Sequence, residues 1–311
     1  MTLHISISGE PGCGKTTIAK ILAERLNATY ISTGLIQRDI ASKQGLTTLE
    51  LNLLAETDGS IDEQIDAHTR SLGNSHQNLV VDSRLAWRFL PASLKVFLVC
   101  PLSVAANRVN AQARREETYA SNDEAATLLR ERYESEKARF SKYYGAALDN
   151  LRNFDLVVDT TVATPQAIAD AICQAALARP TLIPIPRVLV SPSSLFPTQD
   201  IREVAQQYLS PVREHYGADR LMQGDIDPVN VCRVSGTWGI LDGHKRAVLA
   251  LAFNAPLVPA TLCAQNDEII RSGVTGRSFL ETSITWSRVY DWEAAFDFSF
   301  KSYPDFLRPL P

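Results

Sequence analysis

Gly9-Glu10-Pro11-Gly12-Cys13-Gly14-Lys15-Thr16 constrains this chain more than any other stretch, because it fills every fixed position of the phosphate-cradling pattern GxxxxGK[ST]. The run before it, Leu3-His4-Ile5-Ser6-Ile7-Ser8, reads as a short strand, and Ile18 to Leu26 after it carries helical spacing. Strand, loop and helix therefore stand where the pattern needs them. In such a turn the glycines let backbone N–H groups close around phosphate oxygens, and the helix N-terminus adds partial positive charge. Lys15 then reaches the β- and γ-phosphates and the Thr16 hydroxyl ligates Mg²⁺. The expected nucleotide-binding set is Gly9, Gly12, Cys13, Gly14, Lys15, Thr16 and Thr17, with ATP and Mg²⁺ as cofactors.

A parallel sheet is expected around this loop. Strand-like segments at 3–8, 78–82, 95–100 and 155–159 are nearly continuous apolar runs, separated by helical stretches at 102–113, 123–148 and 164–178. The chain's 311 residues allow two packed domains. Pro180, Pro184, Pro186 and Pro192 interrupt the helical texture and mark a linker or an extended entry strand, so the expected division is a domain over 1–178, a linker over 179–190 and a second domain over 191–311. The second part reads as mixed α/β, with a helix over Ile201–Tyr216, strands at Val229–Val234, Trp238–Leu241 and Val258–Leu262, and a helix over Lys245–Phe253. A net charge of −4 lacks the basic excess that non-specific nucleic-acid binding uses. Five scattered cysteines without CxxC spacing suggest neither a disulfide framework nor a zinc site. No apolar run approaches the ~18 residues of a membrane span, and the immediate entry into strand and loop leaves no room for a signal peptide, so a cytoplasmic protein is expected.

Four ordered blocks carry a resemblance to a family. The loop 9–16 is followed by Tyr30-Ile31-Ser32-Thr33-Gly34 with Arg38, by Val80-Val81-Asp82-Ser83-Arg84-Leu85-Ala86, and by Arg132-Tyr133-Glu134-Ser135-Glu136-Lys137-Ala138-Arg139. Over residues 1–178 the chain resembles the nucleoside monophosphate kinases, and among them the cytidylate kinases of compact archaeal type. The resemblance implies an α/β P-loop fold and transfer of the γ-phosphate of ATP to CMP, dCMP or a relative. It also implies acceptor contacts from Ser32, Gly34, Arg38 and Arg84, an adenine-stacking Arg108, and lid arginines at Arg114, Arg115, Arg132 and Arg139. The implied catalytic set is Lys15, Asp82, Arg84, Arg132 and Arg139.

Phosphoryl transfer explains this choice of residues, since it needs in-line positioning and charge neutralisation rather than a covalent nucleophile. Arginine binds two phosphate oxygens at once and stays charged. Each arginine on a helix also admits a plainer role as a solvated ion-pairing group. Asp82 either holds Mg²⁺ with Thr16, contacts the acceptor nucleoside, or caps the turn after its strand. The acidic helix around 61–66, with Asp62 and Asp66, would be the acceptor-side flap. Two positions depart from the family pattern: Ser83 replaces a glycine, and Leu85 stands where bacterial cytidylate kinases carry the aspartate that reads cytosine.

In the second part, Asp242-Gly243-His244-Lys245-Arg246 joins a strand to a helix start, and either an anion site or a merely capped helix would explain it. With its surroundings the segment resembles the ParB/sulfiredoxin superfamily over residues 183–265, and its Asp-Gly-His-x-Arg form resembles the free serine kinases there. The resemblance implies a smaller α+β domain that holds nucleotide phosphates on residues 242–246. Gln199 falls where those kinases use a glutamate base, and a neutral amide cannot take a proton. His244 replaces the cysteine of sulfiredoxin, which argues against sulfinic acid repair. No helix-turn-helix segment follows, which argues against DNA partitioning. The expected partner is a small nucleotide, with neither nucleic acid nor membrane. The competing readings are a small-hydroxyl kinase in the second domain, or a nucleotide-dependent switch made by the whole chain.

Overall fold

The computed structural model describes residues 2–46, 50, 51, 54, 60–111, 121–178, 187–200 and 206–307. They divide into two compact units. The first comprises Met1–Leu98, Arg130–Leu156 and Pro165–Leu182; the second comprises Val99–Leu129, Val157–Thr164 and Ile183–Pro311. Residues 179–186 of the expected linker lie outside the described residues, as do Arg114 and Arg115; its last four residues, Arg187–Val190, are not linker but a strand bonded to Val258–Thr261.

In the first unit, strands β1 (His4–Gly9), β2 (Thr29–Ser32), β3 (Leu79–Asp82) and β4 (Leu94–Val99) pair in the order β2-β3-β1-β4, all parallel. Parallel strands need crossover connections that cover both faces, which is why Leu79, Val80 and Val81 are all buried instead of alternating. The register pairs Ile7 with Asp82 and Ser32 with Asp82, so β1, β2 and β3 finish side by side. This common end is where loops and helix starts converge in open α/β sheets. Within this unit Asp155 N donates to Lys95 O at 2.9 Å. β5 (Leu156–Asp159) leads into the second unit, where Thr160 N donates to Val99 O at 2.9 Å.

Helix α1 (Lys15–Arg25) packs its buried Ile18, Ala19 and Leu22 inward and touches α7 (Pro165–Leu177), to which Arg25 is paired through Asp170. Helices α2 (Thr33–Lys43) and α3 (Ser60–Ser71) share a small core of Ala41, Leu51 and Ile65. The one-turn helix α4 (Ala86–Phe89) follows β3, α5 (Leu102–Ala111) follows β4, and α6 (Asn122–Tyr144) is the longest helix described. Sequence spacing predicts α6 to run to 148. It ends at Tyr144 because Gly145 turns into the left-handed region at φ 59°, its N–H donating to Ser141 O at 2.9 Å.

The second unit holds a mixed sheet in the order β6-β10-β8-β9-β7, from β6 (Arg187–Val190), β7 (Leu195–Phe196), β8 (Val229–Val234), β9 (Thr237–Asp242) and β10 (Val258–Gln265). β10 alternates buried and half-buried residues along its length, the pattern of a strand with one core face. Two helical segments spanning Gln206–Gln223 (α8) are joined at the non-helical Gly217, and α9 (His244–Ala252) starts one residue before the position its spacing predicts. A small hairpin, β11 (Ile269–Arg271) with β12 (Val274–Thr275), leads into α10 (Gly276–Ser283) and α11 (Trp286–Phe296). Trp292 of α11 is among the largest fully buried side chains. Among the described residues no helix is long and apolar enough to cross a membrane.

Candidate active site

β1 delivers the phosphate-type loop, and only glycine fits where strand becomes loop. At Gly9, φ is +153° and a Cβ would lie 2.4 Å from Leu98 O on the neighbouring strand. Gly12 and Gly14 are also left-handed, at φ 69° and 89°. Gly14 caps α1 with backbone alone, no side chain accepting from the first turn, so the N–H groups there remain available to an anion. The Lys15 ammonium donates back across the loop to Gly9 O at 3.1 Å and Glu10 O at 2.9 Å. Burial, and then the neighbouring Arg84, lower its pKa from the ordinary lysine value. Cys13 is buried beneath the loop and burial pushes its thiol up, whereas Thr17 is exposed.

At the adjoining strand end, Asp82 is only 7 % exposed. Its Oδ2 accepts from Thr16 Oγ1 at 2.9 Å and from Tyr30 OH at 3.4 Å. Burial raises the Tyr30 phenol. A hydroxyl and a carboxylate oxygen beside a phosphate loop form a hard-oxygen donor pair of the kind Mg²⁺ accepts, with waters and phosphates completing its shell. Among the described residues no cluster of three or more His, Cys, Asp or Glu could hold a metal on protein ligands alone.

The segment after Asp82 is pinned to β1. Ser83 N donates to Ile7 O at 3.1 Å, and Ser8 Oγ donates to Ser83 O at 2.6 Å and Arg84 O at 3.2 Å. Serine at 83 is accommodated because its own Oγ accepts from Leu85 N at 3.3 Å, closing a local turn. Leu85 is 5 % exposed and belongs to the core. The Arg84 guanidinium emerges from this fixed backbone: Nη1 donates to Gly9 O, Nε donates to Glu136 Oε2 at 2.6 Å, and its carbon lies 5.9 Å from the Tyr133 ring centre. Arg132 Nε donates to the other oxygen of Glu136 at 3.1 Å. Burial alone would push the Glu136 carboxyl up, but Arg84 and Arg132 outweigh it and hold the group below the usual carboxylate range.

The acceptor block lies against the same strand end. Ser32 caps α2 by accepting from Leu35 N at 3.4 Å, Thr33 Oγ1 donates to Asp82 O at 3.4 Å, and Arg38 Nη1 lies 3.8 Å from where a Cβ on Gly34 would be. Arg139 is buried further along α6 with its guanidinium over the Phe140 ring at 4.8 Å. Arg108 belongs to the other compact unit, where it donates to Thr160 Oγ1 at 3.1 Å and Thr161 O at 3.3 Å. Asp66 of α3 is buried, and the Asp62 side chain lies outside the described set. Two participants escape the sequence reading. Ser8 looks like an ordinary strand residue, and Glu136 is one of several acidic residues on a charged helix, signalled only by its i,i+4 spacing to Arg132.

In the second unit β9 runs into Gly243, left-handed at φ 97°, which caps α9 without a side-chain bond. A Cβ there would lie 2.7 Å from Arg246 Nη2. Arg246 folds back over this turn, Nη2 donating to Pro228 O at 3.2 Å and to Asp242 Oδ2 at 3.4 Å. His244 is 4 % exposed, and its Nε2 accepts from Thr198 N at 3.3 Å. Burial depresses its pKa to about 4, so the ring is neutral at pH 7. Asp242, Gly243, His244, Lys245 and Arg246 line a cavity of about 400 Å³, together with Gln199 and the Tyr216–Asp227 pair, in which Tyr216 OH donates to Asp227 at 2.7 Å.

A parallel sheet ending in this loop, with a lysine, a hydroxyl–carboxylate pair and two arginines, defines an ATP-dependent, nucleoside monophosphate kinase-like enzyme. Residues 4–162 match the model of the cytidylate kinase-like family, and the chain belongs to that family. It is similar to the cytidylate kinase of Sulfolobus acidocaldarius, 40 % identical over 172 residues that cover 55 % of this chain and 92 % of the relative. It is also similar to the cytidylate kinase of Haloarcula marismortui, 41 % identical over 166 residues that cover 53 % of this chain and 84 % of the relative. Among solved structures, shikimate kinase from Acinetobacter baumannii in complex with shikimate aligns at a TM-score of 0.40 and 18 % identity, over 57 % of this chain and 94 % of that one.

Proposed function

We propose that the P-loop unit transfers the γ-phosphate of ATP to CMP, dCMP or a closely related nucleoside monophosphate. The observation that carries this reading is that Lys15 and Arg84 both donate to Gly9 O, Glu136 joins Arg84 to Arg132, and Thr16, next to Lys15, is bonded to Asp82, so these residues gather around the loop. A phosphate oxygen of the acceptor attacks the γ-phosphorus, forming the new P–O bond as the bridging bond to ADP breaks. The attacking oxygen is already anionic, so no general base is needed. Lys15 and the first N–H groups of α1 hold the triphosphate, while Arg84 and Arg132 neutralise charge on the moving group and the acceptor. Thr16 and Asp82 would hold Mg²⁺, directly or through water, and the bound ion would supply charge neutralisation for the triphosphate. Ser32, Gly34 and Arg38 form the acceptor side. Leu85 offers no polar group, so any discrimination of the base comes from other residues.

The second unit is read as a ParB/sulfiredoxin-like nucleotide site, the phosphates resting on the Gly243 turn with Lys245 and Arg246. The glycine conformation, the backbone-only helix start and the adjoining cavity support this reading. A neutral, buried His244 gives that turn no thiol.

Coupled measurement of ADP release across a panel of nucleoside monophosphates, with free serine included, tests the assignment. Turnover should depend on the acceptor and be greatest with a cytidine monophosphate. Slow release independent of every acceptor would favour a nucleotide-dependent switch instead.

A further inference from the structure

Glu136 is a buried carboxylate of the first unit, 8 % exposed. Taking a carboxylate out of water is costly unless cations compensate it. Here two do, and from different parts of the chain. Arg84, just after β3, donates its Nε to Oε2 at 2.6 Å, and Arg132, one turn earlier on α6, donates its Nε to Oε1 at 3.1 Å. Each carboxylate oxygen thus takes one guanidinium, and each guanidinium is fixed by the same inner edge. A guanidinium anchored at Nε directs its terminal nitrogens away from that anchor, as a two-pronged fork for phosphate oxygens. On Arg84 the orientation is set twice, because Nη1 also donates to Gly9 O in the loop. The same carboxylate offsets the repulsion between Lys15 and Arg84.

We propose that Glu136 is a positioning residue for phosphoryl transfer, a carboxylate that aligns the Arg84 and Arg132 forks on the loop so that both face the transferred phosphate together. This rests on the kinase reading of the unit. A glutamate that merely ties α6 to the sheet would affect folding, whereas one that aims two phosphate-binding groups must affect turnover by the folded protein. Misplacing reacting groups by about 1 Å can cost roughly 100-fold in rate.

The test compares steady-state kinetics of full-length wild type, Glu136→Gln and Glu136→Asp with ATP and CMP, together with thermal melting of each. Glutamine keeps the shape but turns one acceptor into an N–H donor facing a guanidinium. Glu136→Gln should lose about 100-fold in kcat/KM, split between a raised KM for the monophosphate and a lowered kcat. The protein should remain folded at the assay temperature. Glu136→Asp, which keeps both acceptors on a shorter arm, should recover at least about tenfold of that loss. The inference is overturned if folded Glu136→Gln has wild-type kcat and KM, if its loss merely tracks the unfolded fraction, or if aspartate restores nothing. A wild type that turns over no monophosphate would instead defeat the kinase reading, so the two failures are distinguishable.

Discussion

The chain builds the same backbone device twice. Gly14 at the start of α1 has φ 89° and ψ 17°, Gly243 at the start of α9 has φ 97° and ψ 20°, and neither helix start is capped by a side chain. Both turns therefore leave helix N–H groups available to an anion. What surrounds them differs. At the first, Asp82 meets Thr16, and Glu136 gathers arginines from two separate elements. At the second, Arg246 is held by a backbone carbonyl and by Asp242, whose side chain is 72 % exposed at 3.4 Å, a pairing worth little in water. A left-handed glycine before a helix marks a place where phosphate can rest. Moving a phosphoryl group takes, in addition, oxygen donors for a metal and cations brought from distant sequence.

Among single changes, Lys15→Ala should have the largest effect. It should lower kcat for monophosphate phosphorylation by roughly 1000-fold, because the charge lost has few substitutes in a dry loop. Nucleotide binding at the second unit, followed by calorimetry, should be unchanged. Equal loss at both sites would mean that the two turns do not serve separate ligands.

A smaller effect should come from His244. Its folded pKa of about 4 lies below the ordinary 6.5, so between these values the unfolded chain binds the extra proton. The stability of the second unit is therefore full above about pH 6.5 and declines as pH falls towards 4, by about 3 kcal/mol at most. Denaturant unfolding of wild type against His244→Gln across this range checks it: the variant should lose less stability on acidification.

Gly243→Ala should have the smallest consequence. The left-handed conformation costs a non-glycine residue about 1–2 kcal/mol, and the added carbon would displace Arg246. The unfolding midpoint should fall and second-site affinity should drop, with first-unit kinetics unaltered. A wild-type midpoint in that variant would remove the conformational argument for this glycine.

The first unit's framework was legible because its signals are local. Residues 9–16 carry their geometry in their spacing, the apolar runs at 78–82 and 95–100 read as buried strands, and Asp82 and Arg84 follow directly from the end of β3. Glu136 was not legible as a partner, since the contact that distinguishes it from Glu131 and Glu134 comes from Arg84, fifty-two residues away in sequence. The second unit yielded β8, β9, β10 and α9 but not β6, β7, the β11–β12 hairpin or its last two helices, although Thr285 before α11 carries a cap signal, accepting from Arg288 N at 3.4 Å. Helix ends were the least legible feature. α6 stops at a left-handed glycine within an otherwise unbroken helical spacing, and only the turn's own conformation places that boundary.

The most direct measurement is phosphorus NMR of the full-length chain with ATP, Mg²⁺ and CMP. ADP and a nucleoside diphosphate product of the acceptor should rise together, with little inorganic phosphate. Inorganic phosphate rising alone, with CMP and every other monophosphate left unchanged, would contradict it.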